Sequence, residues 1–312
     1  MQNKTVDVII PTFRPDRKFD ILLQRLLSQN VRPRRIIVVN TGEEFWDEEH
    51  VREVTGGQMP EVFHVRPEEF DHGGTRHLAI QRSDADVFVC MTQDAVPADK
   101  DLIGNLLGML YSEDNVAAVC ARQLPMPDCG IIERCTRQFN YPDKSRMKWE
   151  KDLKTMGIKT FFCSNVCAAY RRDIYDRMGG FLRRTIFNED MIYAGYAIRA
   201  GYGIGYCAEA RVIHSHNYGA AEQIHRNFDL AVSQADHPEV FGNISSEGEG
   251  IRLVKQTAAY LMRHGRAYLL PKLVLQSACK YTGYLLGKNY RKLPGGLVQK
   301  LTMNKNYWGN KS

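Results

Sequence analysis

The sequence predicts an α/β fold with a mostly parallel sheet, followed by a helical segment of different composition. Short apolar runs alternate with stretches of helical periodicity, and the runs end at polar residues or at a proline. After about residue 241, Leu, Val and Tyr are instead interleaved with Lys and Arg. A chain of 312 residues that is 44% hydrophobic is long enough for one large domain and an appendage.

The first part of the chain carries the strand–helix alternation. Continuous apolar runs predict buried strands at residues 6–12, 35–40, 61–65, 87–91 and 116–120. Between them, apolar residues at helical spacing predict helices at 17–29, 73–82 and 102–111. This order is typical of a doubly wound domain whose parallel strands are joined by right-handed crossovers.

The pattern is less regular after residue 124. Residues 125–157 are polar with scattered aromatic side chains and predict a long excursion over the binding edge of the sheet. Residues 161–170 are apolar and return to the core, and helices are predicted at 172–178 and 188–200. Residues 211–214 form the last predicted strand.

Asp94 is the first candidate functional residue, because it follows the buried strand 87–91 within Thr92-Gln93-Asp94. Open α/β sheets bind ligands at the carboxyl ends of their strands, so a carboxylate placed there points to a binding role. The structural alternative is that Asp94 caps a helix that begins near Asp99.

Three other polar groups stand at element boundaries. Glu189 and Asp190 form an acidic pair at the start of a helix, where they are either catalytic or favoured by the helix dipole. Residues 71–76 place two glycines, a hydroxyl and a guanidinium at a helix start, which suits a diphosphate or a glycine-permitted turn. His214 and His216 put two imidazoles on one face of an extended segment, as metal ligands or as structural histidines.

Taken in order, these residues resemble an inverting glycosyltransferase with the GT-A fold, from the family 2 group of bacterial polysaccharide synthesis. The resemblance covers roughly residues 6–218 and begins with Val8-Ile9-Ile10-Pro11-Thr12-Phe13-Arg14, which leads to the nucleotide base in such enzymes. Gln93-Asp94 stands at the position of the family's Asp-x-Asp metal motif, and Asn188-Glu189-Asp190 at its Glu-Asp catalytic motif. His214 and His216 fall where these enzymes place a histidine on the metal.

Two segments narrow the resemblance to one branch. Residues 70–76, followed by Thr92-Gln93-Asp94-Ala95, and residues 280–290 are similar to rhamnosyltransferases of the streptococcal, rhamnan-building type that use dTDP-L-rhamnose. The chain departs from the family pattern at Gln93, which replaces an acid, and at Asn40, which stands where an aspartate usually meets the base.

The resemblance implies that the enzyme transfers L-rhamnose, with inversion, from dTDP-β-L-rhamnose to a lipid-linked saccharide acceptor in cell-surface polysaccharide synthesis. It implies Asp190 as general base beside Glu189, and a divalent metal, Mn²⁺ or Mg²⁺, bound by Asp94, His214 and His216. The residues expected to bind the nucleotide sugar are Pro11, Thr12, Arg14, Asn40, Gly42, His72, Gly73, Gly74, Arg76, Gln93 and Asp94.

The charge distribution predicts a catalytic domain at residues 1–240 and a basic amphipathic helical tail at 241–312. Residues 252–312 contain twelve Lys or Arg and no acid, which leaves 30 of the 42 basic residues against all 36 acids in the rest. The tail is expected to lie on an anionic membrane surface, or to pack on the catalytic domain or on a second subunit in a homodimer. The absence of a signal segment or a long apolar run predicts a cytoplasmic protein, peripheral at the inner face of the plasma membrane.

Several other functions are weighed against this hypothesis. The eight cysteines lack a Cys-x-x-Cys pair, so free thiols are expected rather than disulfides or zinc, and no nucleic-acid-binding motif is present. A nucleotidyltransferase would carry Gly73-Gly74-Thr75-Arg76 after its first strand rather than its third. A family 2 enzyme with a UDP-hexose donor and a non-catalytic, membrane-docked scaffold stay open as alternatives.

Overall fold

A computed structural model describes residues 4–242, 244 and 247–309. The remaining parts of the two predicted domains, residues 1–3, 243, 245–246 and 310–312, lie outside the described residues. The chain divides into two compact units. The sheet unit comprises Met1–Met126, Tyr141–Arg184 and Glu189–His214, and the helical unit comprises Pro127–Asn140, Thr185–Asn188 and Ser215–Ser312.

The strands all belong to the sheet unit and form one mixed sheet in the order β3-β2-β1-β4-β8-β6-β9-β5, with β7 paired to β9. Their bounds are β1 Val6–Phe13, β2 Arg35–Thr41, β3 Glu61–Val65, β4 Val87–Met91, β5 Val96–Pro97, β6 Val116–Leu124, β7 Arg146–Lys148, β8 Cys167–Arg171 and β9 Gly203–Ile213. The helices are α1 Arg17–Leu27, α2 Glu48–Val54, α3 His72–Ile80, α4 Leu102–Leu110, α5 Ile131–Asn140, α6 Leu153–Met156, α7 Arg172–Arg177, α8 Glu189–Arg199, α9 Ala220–Asp236, α10 Pro238–Phe241, α11 Glu247–Arg263, α12 Leu270–Lys288, α13 Gly295–Leu301 and α14 Lys305–Gly309.

The predicted α/β fold class is confirmed, although half of the strand pairs are antiparallel. β1, β2, β3 and β4 are parallel to one another, and β6 is parallel to β9. β8 is inserted antiparallel between β4 and β6, and the short strands β5 and β7 pair antiparallel with β9. The apolar runs at β1, β4 and β6 are almost fully buried, as continuous apolar strands in a covered sheet should be.

Two segments predicted from the sequence differ from the structure, one in what it contains and one in where it begins. The predicted excursion at 125–157 contains helix α5 and strand β7 as well as loops. The predicted last strand at 211–214 is the end of β9, which already begins at Gly203. Gly203 and Gly205 weaken the strand signal, and a register shift between Ala121 and Arg122 on β6 skips residues 208–210 of β9.

The helical unit is held by close backbone contact between α9 and α12. A Cβ atom added at Gly283 would lie 2.3 Å from the carbonyl oxygen of Ile224, and one added at Gly287 would lie 2.3 Å from that of Phe228. Such spacing excludes any side chain at these two positions of α12. The last and longest part of the unit therefore begins at Ser215, before the composition changes near residue 241, because α9 packs with α12.

The cysteines and the helices bear on two further expectations. All eight cysteines are free thiols, and seven of them are buried. Among the described residues, no helix combines the length and the apolar character that crossing a membrane would require. Pro271 lies in the first turn of α12, where backbone N–H groups have no partner within the helix, so the missing N–H of proline costs no helical hydrogen bond.

Candidate active site

The carboxyl ends of six strands line one edge of the sheet. β1, β2, β3 and β4 are parallel, and β6 and β9 run in the same direction because β8 is antiparallel to both β4 and β6. The first residues of β8 therefore lie at this same edge. Most of the polar residues singled out in the sequence follow these strand ends, which explains why the topology gathers them.

The predicted base-binding residues come together at the ends of β1 and β2. Thr12 Oγ1 donates to Asn40 Oδ1 at 3.1 Å, and Asn40 Nδ2 donates to the carbonyl oxygen of Gly42 at 2.8 Å. Pro11 precedes Thr12 and is half-buried. Asn40 is fully buried, so its side chain shapes this corner through hydrogen bonds rather than by exposing a carboxylate.

Arg14 turns the chain away from the same corner. Its φ of 50° is in the left-handed region, and its guanidinium lies 4.6 Å from the ring centroid of Phe45. Phe13 meets Phe45 edge to face at 5.6 Å and is 49% exposed. This exposed aromatic and cationic surface is available to a planar, anionic ligand.

Gln93 joins the end of β1 to the turn after β4. Its Oε1 accepts from the backbone N–H of Phe13 at 2.8 Å, and its Nε2 donates to the carbonyl oxygen of Phe13 at 3.0 Å. An ionised acid could make only the first of these bonds, because it has no donor. Glutamine in place of the family's acid at this position therefore allows both hydrogen bonds to the backbone of Phe13.

Asp94 and His214 face each other across the edge. Asp94 Oδ2 lies 3.4 Å from His214 Nε2, and His214 Nδ1 lies 3.0 Å from Gln123 Oε1. Gln123 Nε2 donates to Ser164 Oγ at 3.0 Å, which leaves the amide oxygen to accept from His214. Because Nδ1 carries this hydrogen bond, Nε2 is the nitrogen presented toward Asp94. Helix α4 begins at Leu102 after Asp101, so Asp94 does not cap it.

Asp94 and His214 fit a divalent cation. A carboxylate oxygen and an imidazole nitrogen 3.4 Å apart can share one ion with little movement, and the histidine tautomer needed for ligation is already set by Gln123. A mixed oxygen and nitrogen donor set suits Mn²⁺ better than Mg²⁺, which prefers oxygen ligands. The third predicted ligand, His216, belongs to the helical unit, where its ring stacks on Tyr218 with centroids 5.0 Å apart.

Glu189 and Asp190 occupy the first turn of α8, and each carboxylate has different partners. Glu189 Oε1 lies 3.1 Å from Arg76 Nη1 and accepts from Asn165 Nδ2 at 3.0 Å. Asp190 Oδ2 accepts from the backbone N–H of Asn165 at 2.8 Å, and its Oδ1 accepts from that of Met191 at 2.7 Å. The two acids are therefore held side by side but in separate environments.

These environments move the two pKa values in opposite directions. Burial opposes ionisation of Glu189, but the Arg76 guanidinium, His72 and the hydrogen bond from Asn165 together outweigh burial and hold the pKa of Glu189 below its usual range. Burial, reinforced by the neighbouring Glu189 charge, raises the pKa of Asp190 to about 7. A carboxylate with a pKa near neutrality is suited to general base catalysis, because it can both exist ionised and take up a proton.

The N-terminus of α3 differs from its predicted diphosphate-binding form. The Asp71 carboxylate accepts from the backbone N–H groups of Gly73 and Gly74 at 2.9 and 2.8 Å, so these donors already have an anionic partner. A Cβ at Gly73 would lie 2.0 Å from the carbonyl oxygen of Leu182, which gives the glycine a packing role. Arg76 is only 5% exposed and bonds Glu189 and the carbonyl oxygen of His72.

Three contributors to this site were missed in the sequence. Gln123, Ser164 and Asn165 connect His214, Glu189 and Asp190. Gln123 follows the predicted strand 116–120 and has no assigned role, and Ser164 and Asn165 lie inside the run 161–170 that is predicted as core. The available signal was Ser164-Asn165, two adjacent polar residues that interrupt the apolar run at 161–170. Buried polar groups need partners, so such an interruption indicates a hydrogen-bonding task.

Comparison with known proteins identifies the family of the chain. The sequence profile of glycosyl transferase family 2 matches residues 7–179. The chain belongs to glycosyl transferase family 2. This match confirms the family resemblance predicted from the sequence and identifies the chain as a glycosyltransferase.

Two relatives match this family 2 glycosyltransferase over almost its whole length. The O-antigen chain rhamnosyltransferase RfbN of Salmonella typhimurium is 38% identical and covers 98% of this chain and 96% of its own. The O-antigen chain rhamnosyltransferase WbaN of Salmonella anatum is 36% identical and covers 97% of this chain and 95% of its own.

Two solved structures share the fold at lower identity. A mannosyltransferase from Pyrobaculum calidifontis in complex with GDP-Man and Mn²⁺ aligns with a TM-score of 0.56 and 16% identity, over 100% of this chain and 89% of that one. TarS 1–349 of S. aureus in complex with UDP-GlcNAc aligns at 0.52 and 14%, over 92% of each chain. At such identities these likenesses show the GT-A fold alone.

Proposed function

We propose that this enzyme transfers L-rhamnose from dTDP-β-L-rhamnose to a lipid-linked saccharide acceptor in cell-surface polysaccharide synthesis, with inversion to an α-rhamnoside. The observation that carries transfer is the pair of unlike carboxylates, Glu189 ionised beside Arg76 and Asp190 with a pKa near 7. Rhamnose is supported by two near-full-length relatives named as O-antigen chain rhamnosyltransferases.

In this proposal Asp190 is the general base and removes the proton from one acceptor hydroxyl. That oxygen attacks the anomeric carbon of rhamnose while the bond from this carbon to the diphosphate oxygen breaks, and the bonding electrons leave with dTDP. A single in-line displacement inverts the configuration. Proton transfer by a positioned carboxylate of matched pKa contributes about 10²- to 10⁴-fold to such a rate.

Asp94 and His214 hold a divalent cation in the proposed enzyme, with His216, two residues further along the chain, as the third ligand. When bound, Mn²⁺ or Mg²⁺ supplies positive charge that stabilises the departing diphosphate. The contribution of the chain itself is to fix the His214 ligand, because His214 Nδ1 donates to Gln123 Oε1 and Gln123 Nε2 donates to Ser164 Oγ.

The exposed surface at the ends of β1 and β2 receives the nucleotide, with Phe13 and Arg14 offered to the base and Pro11, Thr12, Asn40 and Gly42 shaping the corner. Gln93 keeps Phe13 in place by its two backbone hydrogen bonds. Arg76 acts on the carboxylates rather than directly on the diphosphate, because its side chain is buried against Glu189. Gly73 and Gly74 permit α3 to approach residues 182–183, and His72 accepts from Arg76 through its carbonyl oxygen.

The helical unit offers a place for the acceptor. A cavity of about 480 Å³ lies within it, between the first residues of α5 and α9 and one side of α12. Its lining includes Glu133, Asn217, Tyr218, Gln276 and Lys280, a mixture of acid, amide, aromatic and basic groups that suits the hydroxyls and apolar faces of a sugar.

One face of α12 is proposed to rest on an anionic membrane surface. Val274, Ala278, Tyr281 and Leu285 recur at helical spacing and are exposed, Val274 at 64% and Tyr281 at 52%. Lys272 and Lys288 are exposed on the same helix, and residues 252–312 contain no acid. A second copy would bring like charges together across a two-fold axis, so a lipid surface is the better partner than a homodimer.

A donor panel tests the function. Release of nucleoside diphosphate is measured with dTDP-rhamnose, UDP-glucose, UDP-galactose and UDP-N-acetylglucosamine, each with Mn²⁺, Mg²⁺ or chelator. We expect turnover with dTDP-rhamnose and its loss in chelator. Turnover with a UDP-sugar alone would reject rhamnose, and a chain that binds a donor without turning it over in the presence of acceptor extracts would be the scaffold.

A further inference from the structure

The two halves of the candidate active site meet at one short segment that no assigned role explains. The metal-binding half is Asp94 and His214, and the proton-transfer half is Glu189 and Asp190. Ser164 is hydrogen-bonded to the first half through Gln123, and the adjacent Asn165 is hydrogen-bonded to both acids of the second half.

We propose that the Ser164-Asn165 dipeptide is the positioning element of this site: Asn165 fixes the two carboxylates and Ser164 fixes the metal-binding histidine. The inference rests on the proposed function, since it assigns no chemistry of its own. Its two residues act through others and are positioning residues rather than catalytic ones.

The dipeptide reaches the site because of the sheet topology. β8 runs antiparallel to β4 with Met91 opposite Cys167, so the residues just before β8 lie beside the residues just after β4. The backbone N–H of Thr92 donates to the carbonyl oxygen of Val166 at 3.2 Å, and that of Cys167 donates to the carbonyl oxygen of Ser164 at 3.1 Å. This turn holds the dipeptide rigidly at the edge that also carries Asp94.

Asn165 is suited to its task by the direction of its amide. The side chain is 2% exposed, and its Oδ1 accepts from the Tyr170 hydroxyl at 2.7 Å. Tyr170 is itself fully buried and stacked on Phe88 with centroids 5.2 Å apart, so it cannot easily move. The Nδ2 group of Asn165 is therefore the end directed at Glu189, where an aspartate would place a second negative charge.

Ser164 is the end of a chain of bonds that determines which nitrogen of His214 faces Asp94. Its hydroxyl oxygen accepts from Gln123 Nε2, and Gln123 Oε1 in turn accepts from His214 Nδ1. Loss of the serine hydroxyl removes the hydrogen bond that keeps the Gln123 amide nitrogen on the side of Ser164 and its oxygen toward the imidazole. Substitution of partners that orient a ligating histidine typically costs about 10- to 100-fold in metal affinity or activity.

The proposal predicts that the two residues affect different measurements. Ser164→Ala should weaken Mn²⁺ binding, measured by electron paramagnetic resonance without donor, by about tenfold. It should leave the acid limb of the kcat–pH profile in place. Asn165→Ala should leave Mn²⁺ binding unchanged, lower kcat by roughly 10- to 100-fold, and move the acid limb to higher pH, because Glu189 loses a donor and repels the ionised Asp190 more strongly.

Two further variants separate positioning from folding. Tyr170→Phe keeps the packing but frees the Asn165 amide, and should reproduce the Asn165→Ala changes at smaller size. Thr160→Val removes another buried hydroxyl of the same segment, one without a hydrogen-bond partner among the described residues, and should change neither measurement. Equal loss of Mn²⁺ binding and kcat in all variants, in step with thermal stability, would overturn the proposal.

The outcomes distinguish this inference from the proposed function. If another sugar donor proves active, the same variants are compared with that donor and the expected division is unchanged. If the wild-type chain binds no Mn²⁺, the part of the proposal that concerns Ser164 is overturned, whereas the part that concerns Asn165 is decided by the pH profile alone.

Discussion

Charged side chains are used differently in the two units. In the sheet unit, Asp7 is fully buried, and its Oδ2 forms ion pairs with Nη2 of Arg34 at 2.8 Å and Nη2 of Arg35 at 3.1 Å. Glu189 is also buried, and its Oε1 lies 3.1 Å from Nη1 of Arg76. In the helical unit, the basic residues of 252–312 have no acid within their own segment, and Lys272 and Lys288 are exposed on α12. Buried, paired charges fix geometry, whereas exposed charges of one sign select a partner.

The difference explains why one short segment of sequence can hold two carboxylates with unlike pKa values. Glu189 and Asp190 are adjacent, yet among the residues that the structure describes only Glu189 has a cation within ion-pair distance. Paired with Arg76, Glu189 stays ionised, and its charge adds to burial in raising the pKa of Asp190. A buried pair thus sets the chemistry of its neighbour, which an exposed pair screened by water could not do.

The largest expected effect is the loss of the general base. Asp190→Asn keeps the shape of the residue but cannot take up a proton, so kcat should fall by about 10²- to 10⁴-fold. Donor binding, measured by calorimetry, should be nearly unchanged, since Asp190 is not expected to contact the nucleotide. Retained turnover in this variant would remove Asp190 as the base, and Asp173→Asn on the exposed surface serves as the matched control.

Most of the fold was predictable from local pattern, because buried strands and amphipathic helices follow side-chain periodicity. The strand at 61–65 and the start of the helix at 102 match the structure to the residue. The first eight residues of β9 were missed since two glycines in them conceal the alternation. The helix α9 has ordinary helical composition, and its contacts with other helices, among them the close backbone contacts at Gly283 and Gly287, assign it to the helical unit.

The candidate site was predictable where a residue follows a strand end or starts a helix, as Asp94, Glu189, Asp190 and His214 do. It was not predictable where a role depends on a partner distant in sequence. Arg76 pairs with Glu189 across 113 positions, and Gln123 bonds Ser164 across 41. Neither pairing can be inferred from residue types without the topology. The sequence pattern at residues 71–76 instead predicts a diphosphate as the partner of Arg76.

A second prediction measures what a buried pair contributes to folding. Asp7→Asn leaves Arg34 and Arg35 without their shared buried carboxylate and should lower the free energy of unfolding by about 3 kcal/mol. Glu48→Gln breaks the exposed pair with Arg52 on α2 and should cost less than 1 kcal/mol. Urea denaturation of the two variants compares them directly. Equal losses would contradict the distinction between buried and exposed charges.

A third prediction concerns the exposed charges. Replacing Lys272 and Lys288 by Gln should weaken binding to vesicles that contain phosphatidylglycerol by about 2 kcal/mol at low salt, or roughly 30-fold, at about 1 kcal/mol per lysine. The matched control replaces Lys100 and Lys151, exposed lysines of the sheet unit, by Gln and should bind like the wild type. Binding that is equally strong to neutral vesicles, or a doubled mass in light scattering without vesicles, would favour an apolar or dimeric contact of α12.

The smallest expected effect is a shift of the kcat–pH profile without loss of turnover. Asp190 acts only when ionised, so kcat should rise with pH through about 7, the value to which burial and Glu189 raise the pKa of its carboxyl. Glu189→Gln removes the negative charge beside Asp190 and leaves the positive charge of Arg76 in place. Without the repulsion from Glu189, ionised Asp190 is favoured. Its pKa should therefore fall and the acid limb move to lower pH, whereas Glu222→Gln, which keeps the cap of α9, should not move it. A limb that stays in place would show that Glu189 does not control the base, and that the buried pair serves folding alone.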